Sequence, residues 1–363
     1  MPPTPVSRRA LRLLAAVFGA AVSGALAGAL LLAGPAAAHS ADAPTATDYR
    51  VTVLGVDPPM PGLTVRAIEA GARLELVNHT SHTVEVLGYS GEPYLRIGPD
   101  GVYQNDASPA TYLNETLAGG VAPPPTAGSA MPPLWTKLSS TPAVLWHDHR
   151  TQTEVRPTVP PGVGQQRLLT WSVPLRDGVR EFAVTGTLDL VPPPSAPTWW
   201  AGCLLLGAGV AALGLRGLRL PSTVSLATGL AAVTYAVGAG LDSGSLGPDG
   251  FVRVLLAQQT WPVVCGLAAL AAGAYGLFDR PAADLGLGLA GVCAAVFAGI
   301  ANGAVFAHAV TPAVWPDTVS RFLILATIAG GAGVATAAAL HARGALRRRR
   351  RPARRNLGEF VGS

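Results

Sequence analysis

The chain has 363 residues, of which 49% are hydrophobic and 13% charged, with a mean hydropathy of +0.37 and a net charge of +5. So much apolar surface carrying so little charge excludes a wholly water-soluble protein. A Pro-rich, polar stretch of about one domain's length separates an N-terminal apolar segment from a long apolar C-terminal half.

Residues 1–38 read as an export signal. Arg8, Arg9 and Arg12 give a basic start, an Ala/Leu/Gly run follows, and Ala36-Ala37-Ala38 supplies the small residues of a peptidase site. Cleavage after Ala38 exposes His39 as a new terminus; uncleaved, the segment is an anchor of the same orientation. The opening "SRRALR" partly matches a twin-arginine signal.

Residues 39–191 alternate with period two in short runs bounded by Gly, Pro or Asp. "YRVTVLGV", "LTVRAI", "ARLELVN", "TVEVLGY", "YLRIG", "AVLWHDH", "RLLTWSV" and "EFAVTGTLDLV" make about eight strands, with no helical stretch. That pattern predicts an extracytoplasmic β-sandwich of immunoglobulin or cupredoxin-like class. Pro99-Asp100-Gly101 and Arg176-Asp177-Gly178 are turn signals, and Asn114 to Pro133 is a long loop. All three cysteines, Cys203, Cys265 and Cys293, fall in the C-terminal half, so the sandwich has no disulfide. Residues 192–197 form a stiff Pro-rich spacer, followed by Trp199 and Trp200 at the expected membrane interface.

Residues 198–341 contain five runs long enough to cross a bilayer core, which takes about 20 apolar residues. They lie near Thr198–Leu215, Thr223–Leu241, Phe251–Phe278, Leu285–Ala309 and Val319–Leu340. Arginine concentrates in alternate loops (Arg216 and Arg219, Arg280, then the tail), so the positive-inside rule puts the tail in the cytoplasm and the sandwich outside the plasma membrane. In the tail, residues 342–363, Arg347 to Arg351 with Arg354 and Arg355 favour anionic lipid, at about 1 kcal/mol per charge, over nucleic acid. Lysine occurs once, at Lys137, which with the Ala/Gly richness suggests a high-GC bacterial genome.

Three groups of residues are candidate sites. In "WHDHR", His147 and His149 stand two apart, so a continuous strand presents both imidazoles on one face, about 7 Å apart at their backbones. With His79 and His82 in "VNHTSHTV" and a terminal His39, they form a nitrogen-rich set suited to Cu(II) or Zn(II). The competing structural reading has Asp148 accept hydrogen bonds from its neighbours while Trp146 packs in the core. Second, Tyr89, Glu92, Tyr94, Arg96, Tyr103 and Tyr112 gather in one stretch whose rings and hydroxyls suit ligand or partner contact, against ordinary strand propensity. Third, Tyr235, Gln258, Gln259, Asn302, His308 and Arg321 are polar groups in the expected outer halves of the spans or the adjoining loop. Asn302 and His308 are six positions apart, about 240° around a straight helix, and cannot share one face. No nucleophile elbow, phosphate loop or paired-carboxylate site is present, so no enzyme is expected.

The signal ending "AAAHS", the strand "LRDGVREFAVTGTL" and the multi-helix C-terminal half with a histidine near the outer surface resemble bacterial copper-resistance proteins in which a CopC-type exported domain accompanies a CopD-type membrane domain. His39 is the residue that falls on a copper-ligand position of that pattern. "GEPYLRIGPDGV", "SPATYLN" and "WHDHR" are similar to stretches of actinobacterial multipass membrane proteins with one exported domain. The resemblance implies a non-enzymatic membrane protein whose sandwich handles a ligand, copper being the candidate. A structural or sensory protein contacting an envelope partner is the alternative, and a small-solute or metal transporter the third.

Overall fold

A computed structural model describes residues 45–350, apart from 118, 120, 154–156, 158–162, 245–246 and 279–281. The expected signal, His39 and the chain beyond Arg350 lie outside the described residues.

Alternation of apolar and polar side chains becomes ten antiparallel strands: β1 Tyr49–Asp57, β2 Leu63–Ile68, β3 Arg73–Asn78, β4 Val84–Leu87, β5 Pro93–Gly98, β6 Gly101–Asn105, β7 Trp135–Ser139, β8 Ala143–Trp146, β9 Gln166–Asp177 and β10 Arg180–Leu190. They form one sheet in the order β1-β10-β9-β4-β5-β6-β7 and another in the order β2-β3-β8. Period-two pairs supply the core between them: Leu74 and Leu76, Val84 and Val86, Leu95 and Ile97, Val173 and Leu175 are all buried, with Trp146 and Trp171. Each such side chain contributes about 1.5–3 kcal/mol on burial. The sandwich expected from the sequence is present, and both turn signals close hairpins, β5–β6 at Gly98↔Gly101 and β9–β10 at Asp177↔Arg180.

Two strands exceed the eight expected. In β7 the three central residues, Thr136, Lys137 and Leu138, are exposed at the sheet edge, so "WTKLS" shows no apolar alternation. The expectation of no helix also needs correction: α1, Pro109–Leu113, is a single turn. Ser108 accepts the Ala110 N–H at 3.2 Å and Pro109 starts the turn, a start signal too short to show a helical period.

The C-terminal half contains α2 Ala196–Gly214, α3 Arg219–Asp242, α4 Gly247–Gln258, α5 Thr260–Leu277, α6 Ala283–Cys293 and α7 Asp317–Arg350. Five helical stretches are long and apolar enough to cross a membrane, and the chain is a multi-pass membrane protein. Helix α2 begins at Ala196, inside the expected spacer. The third expected span is broken at Gln259 (φ −115°, ψ 18°), three residues before Pro262, whose ring nitrogen cannot donate back to Gln258; the apolar span starts at Thr260. The fourth runs from α6 through a π-helical segment, Ala294–Gly299, into a 3-10 segment, Ile300–Phe306.

Glycines bring the helix backbones together. A Cβ on Gly229 of α3 would stand 2.5 Å from the Gly266 carbonyl of α5, one on Gly291 of α6 2.6 Å from that of Gly331 in α7, and one on Gly333 2.7 Å from that of Gly207 in α2. Small residues at such crossings maximise dispersion and allow interhelical hydrogen bonds. Ser225 Oγ accordingly donates to the Ala269 carbonyl at 2.7 Å.

Candidate functional site

The segment entering β1 seats the sandwich on the helix ends. Thr47 and Val310 exchange backbone hydrogen bonds of 3.0 and 2.8 Å as an isolated antiparallel bridge. Asp48 accepts the Ala309 N–H at 2.9 Å and meets His308 Nδ1 at 3.2 Å, and Arg50 pairs with Asp317 at 2.9 Å. Arg321, one turn into α7, is 7% exposed and donates to the carbonyls of Val305 (2.9 Å), His308 (2.9 Å) and Ala309 (2.6 Å). Its guanidinium thus satisfies carbonyls at and just beyond the end of the 3-10 segment, groups that a helix leaves without intrahelical partners. Trp315 lies against Gly238 of α3, where any side chain would collide with the indole ring.

Between the two parts is a cavity of about 420 Å³ whose walls come from both. Its sandwich wall is four successive residues of β1, Arg50 to Val53, and three of β2, Val65 to Ala67. A sheet face would contribute every second residue; successive residues mean that the cavity runs along strand edges, and β1 and β2 are terminal strands of their sheets. Its helical wall includes Asp242, the last residue of α3, with Thr311, Trp315 and Asp317.

A strained turn closes one end. Glu69, Ala70 and Gly71 have successive φ values of 55°, 57° and 90°. Left-handed backbone at non-glycine residues costs on the order of 1–3 kcal/mol each and needs surrounding structure to hold it. Here Arg73 pairs with the buried Glu69 carboxylate at 2.8 Å, and Asp242 of α3 accepts the Ala70 N–H at 3.3 Å. Gly71 abuts Val51, where a Cβ would stand 2.8 Å from Cγ2. Two guanidiniums (Arg50, Arg66) and two carboxylates (Asp242, Asp317) line the cavity, and the side chains of Arg50 and Arg66 are 42% and 40% exposed, so it reaches solvent. Arg66 also pairs with the buried Glu75.

The histidines expected to hold metal are dispersed. Strand β8 ends at Trp146, and a 3-10 turn begins at His149, so the two-residue alternation that would aim both rings alike does not extend through "WHDHR". His147 Nδ1 donates to the Ala72 carbonyl at 2.8 Å, whereas His149 Nε2 donates to the Thr116 carbonyl at 3.1 Å. His79 is exposed, and His82 meets Asp177 at 3.2 Å. Among the described residues, no three His, Cys, Asp or Glu side chains are grouped to hold a metal ion.

The centre of "WHDHR" is instead a buried ion pair. Asp148 accepts from Trp146 Nε1 (3.0 Å) and from Arg150 Nε (2.8 Å) and Nη2 (2.7 Å). Arg150 donates onward to the Leu87 carbonyl at 3.0 Å and lies 4.9 Å over the Tyr89 ring.

The tyrosine-rich stretch divides into separate settings. Tyr89 donates to Asn114 Oδ1, and burial, followed by the charge of Asp148, pushes its phenol up to about 12. Tyr94 is 3% exposed, and burial raises its phenol further. Buried Glu92 accepts from Ser108 Oγ and the Ser90 N–H, each at 3.0 Å. Arg96 is held between the Tyr103 and Trp135 rings at 4.5 and 4.8 Å, and Lys137 lies 5.6 Å from Tyr103. Tyr112 donates to the Asp106 carbonyl at 3.0 Å.

The helical polar residues do not form one cluster either. Tyr235 is buried in α3, Asn302 donates to the Ala298 carbonyl of its own helix at 2.9 Å, and Gln258 lies 3.5 Å from Ser243 beside the Gln259 break. Only His308 and Arg321 of that set belong to the junction, and the straight helix assumed for Asn302 and His308 is replaced by the π and 3-10 segments. Asp48, Arg50, Arg66 and Asp242 escaped sequence reasoning, since each is one charge in an unremarkable strand or helix end. Compared with known proteins, the chain matches no family model, no curated protein and no solved structure.

Proposed function

We propose that this chain is a non-enzymatic, plasma-membrane binding protein that holds a small polar ligand between its extracytoplasmic sandwich and the helix ends on that side. The observation that carries the reading is the cavity of about 420 Å³ with walls from both parts, within the 300–1,000 Å³ typical of small-molecule sites. The alternating arginine loops support the orientation. The separate settings of the tyrosines favour a ligand in the cavity over an envelope partner on that stretch.

The test is native mass spectrometry of the full chain released from its own membrane, comparing wild type with Thr52→Trp. Thr52 is exposed on β1 and lines the cavity, so the indole fills the space without entering the core. A small molecule retained by wild type and absent from the variant is the expected result. No retained mass in either, or the same mass in both, contradicts the reading. Stoichiometric Cu(II) lost on replacing His147 and His149 together with alanine would put the metal reading in its place.

A further inference from the structure

Helix α4, Gly247–Gln258, has 12 residues and so a length of about 18 Å, too short for a bilayer core of about 30 Å. Nor does it return along α3 as the second arm of a hairpin, in which later residues of one helix meet earlier residues of the other. Phe251 and Leu255, one turn apart, both lie against Gly240 of α3, where a Cβ would stand 3.0 Å from each. Gln258, further on, reaches forward to Ser243, 3.5 Å away and just past the end of α3. Helix α4 therefore crosses the end of α3 instead of following it, on the side where Asp242 accepts the Ala70 N–H of the sandwich.

The helix has two faces. Phe251, Val254, Leu255 and Gln258 are half-buried, whereas Val252, Arg253, Leu256 and Ala257 are exposed. Val252 and Leu256, four apart, make one edge of the exposed face, and Arg253, about 100° round the helix from Val252, belongs to the other. That face leads across the break at Gln259 into exposed Trp261, Val264 and Leu267 of the spanning helix α5, whose outer surface meets lipid. An indole at the first turn of a span marks the level of the headgroups. We propose that α4 lies in the membrane plane, in the leaflet on the sandwich side, with Val252 and Leu256 among the upper acyl chains and Arg253 extended to phospholipid phosphates.

Spin-label depth measurements on the full chain test this, in vesicles of phosphatidylcholine and phosphatidylglycerol. The three free cysteines are replaced by alanine, and a nitroxide is placed in turn at Val252→Cys, Arg253→Cys and Leu256→Cys. Oxygen and a water-soluble nickel chelate read the depth. The labels at 252 and 256 should lie at matching depths, about 5–10 Å into the headgroup and acyl boundary, with that at 253 shallower. A helix along the membrane normal would separate 252 and 256 by about 6 Å, and that result overturns the proposal. So does full access of the nickel chelate to both, which puts α4 in water, or shielding from both reagents, which puts a second copy or another protein on that face. The chain with its native cysteines gives an independent reading: a phospholipid carrying a diazirine at the top of its acyl chain should insert into the 251–258 peptide. Insertion into α5 with none in that peptide also overturns the proposal.

Discussion

Replacing Asp148 with alanine is expected to destabilise the sandwich by roughly 3–5 kcal/mol, the cost of leaving a buried charge without its partner. Asp148 is 1% exposed and accepts hydrogen bonds from both Arg150 and Trp146. Without it, the Arg150 guanidinium keeps, among the described residues, the Leu87 carbonyl, the Tyr89 ring and the charge of Glu92, and the Trp146 indole N–H loses its acceptor. A domain stability of about 5–15 kcal/mol makes that loss a large fraction of the whole. His147→Ala removes the hydrogen bond to the Ala72 carbonyl, a loss of about 0.5–1.5 kcal/mol net. Hydrogen exchange of the β8 and β9 amides in the full chain measures both. The expected order is a much larger loss of protection in Asp148→Ala; a larger loss in His147→Ala would mean that the histidine, not the ion pair, organises this motif.

Gly229→Leu is expected to have the comparable effect in the membrane domain, a loss of about 3 kcal/mol, at the upper end of ordinary overpacking. Its Cβ would meet the Gly266 carbonyl at 2.5 Å and the Leu270 backbone nitrogen at 2.8 Å, neither of which can swing aside as a flexible side chain would. Separating α3 from α5 also stretches the Ser225–Ala269 hydrogen bond. The buried thiols provide the readout: Cys203 and Cys265 are 5% and 3% exposed and react with a fluorogenic maleimide only as the bundle opens on heating. Gly229→Leu should label at markedly lower temperature than wild type. Gly209→Leu, where a Cβ meets nothing within 4 Å, should label as wild type does. Equal melting of the two variants would mean that the α3–α5 crossing does not depend on backbone contact.

The two-part architecture was legible because it rests on local periodicity. Runs such as "RLELVN" and "RLLTWSV" show their buried faces directly, and five apolar stretches announce the helices. What escaped depends on where an element stops or what it meets. A strand ending at Trp146 rather than continuing through His149 turns a same-face pair of imidazoles into two unrelated hydrogen bonds. Arg96 and Tyr103 meet because they are directly opposed on β5 and β6, and Tyr103 is likewise opposed to Lys137 on β7, a register that composition does not encode. The cavity is further from reach: its charges come from positions 50, 66, 242 and 317, and only the seating of the sandwich on the helix ends brings them together.

Disulfide trapping across Thr47 and Val310 reports whether the sandwich sits on the helix ends in this way. Two reciprocal backbone hydrogen bonds join these residues, which sets their Cα atoms about 5.5 Å apart, within the range a disulfide bridges. In the full chain in native membranes, the double variant Thr47→Cys, Val310→Cys should oxidise to completion and yield one cross-linked peptide pair by non-reducing mass spectrometry. Two thiols that stay free under oxidant and label independently would contradict it.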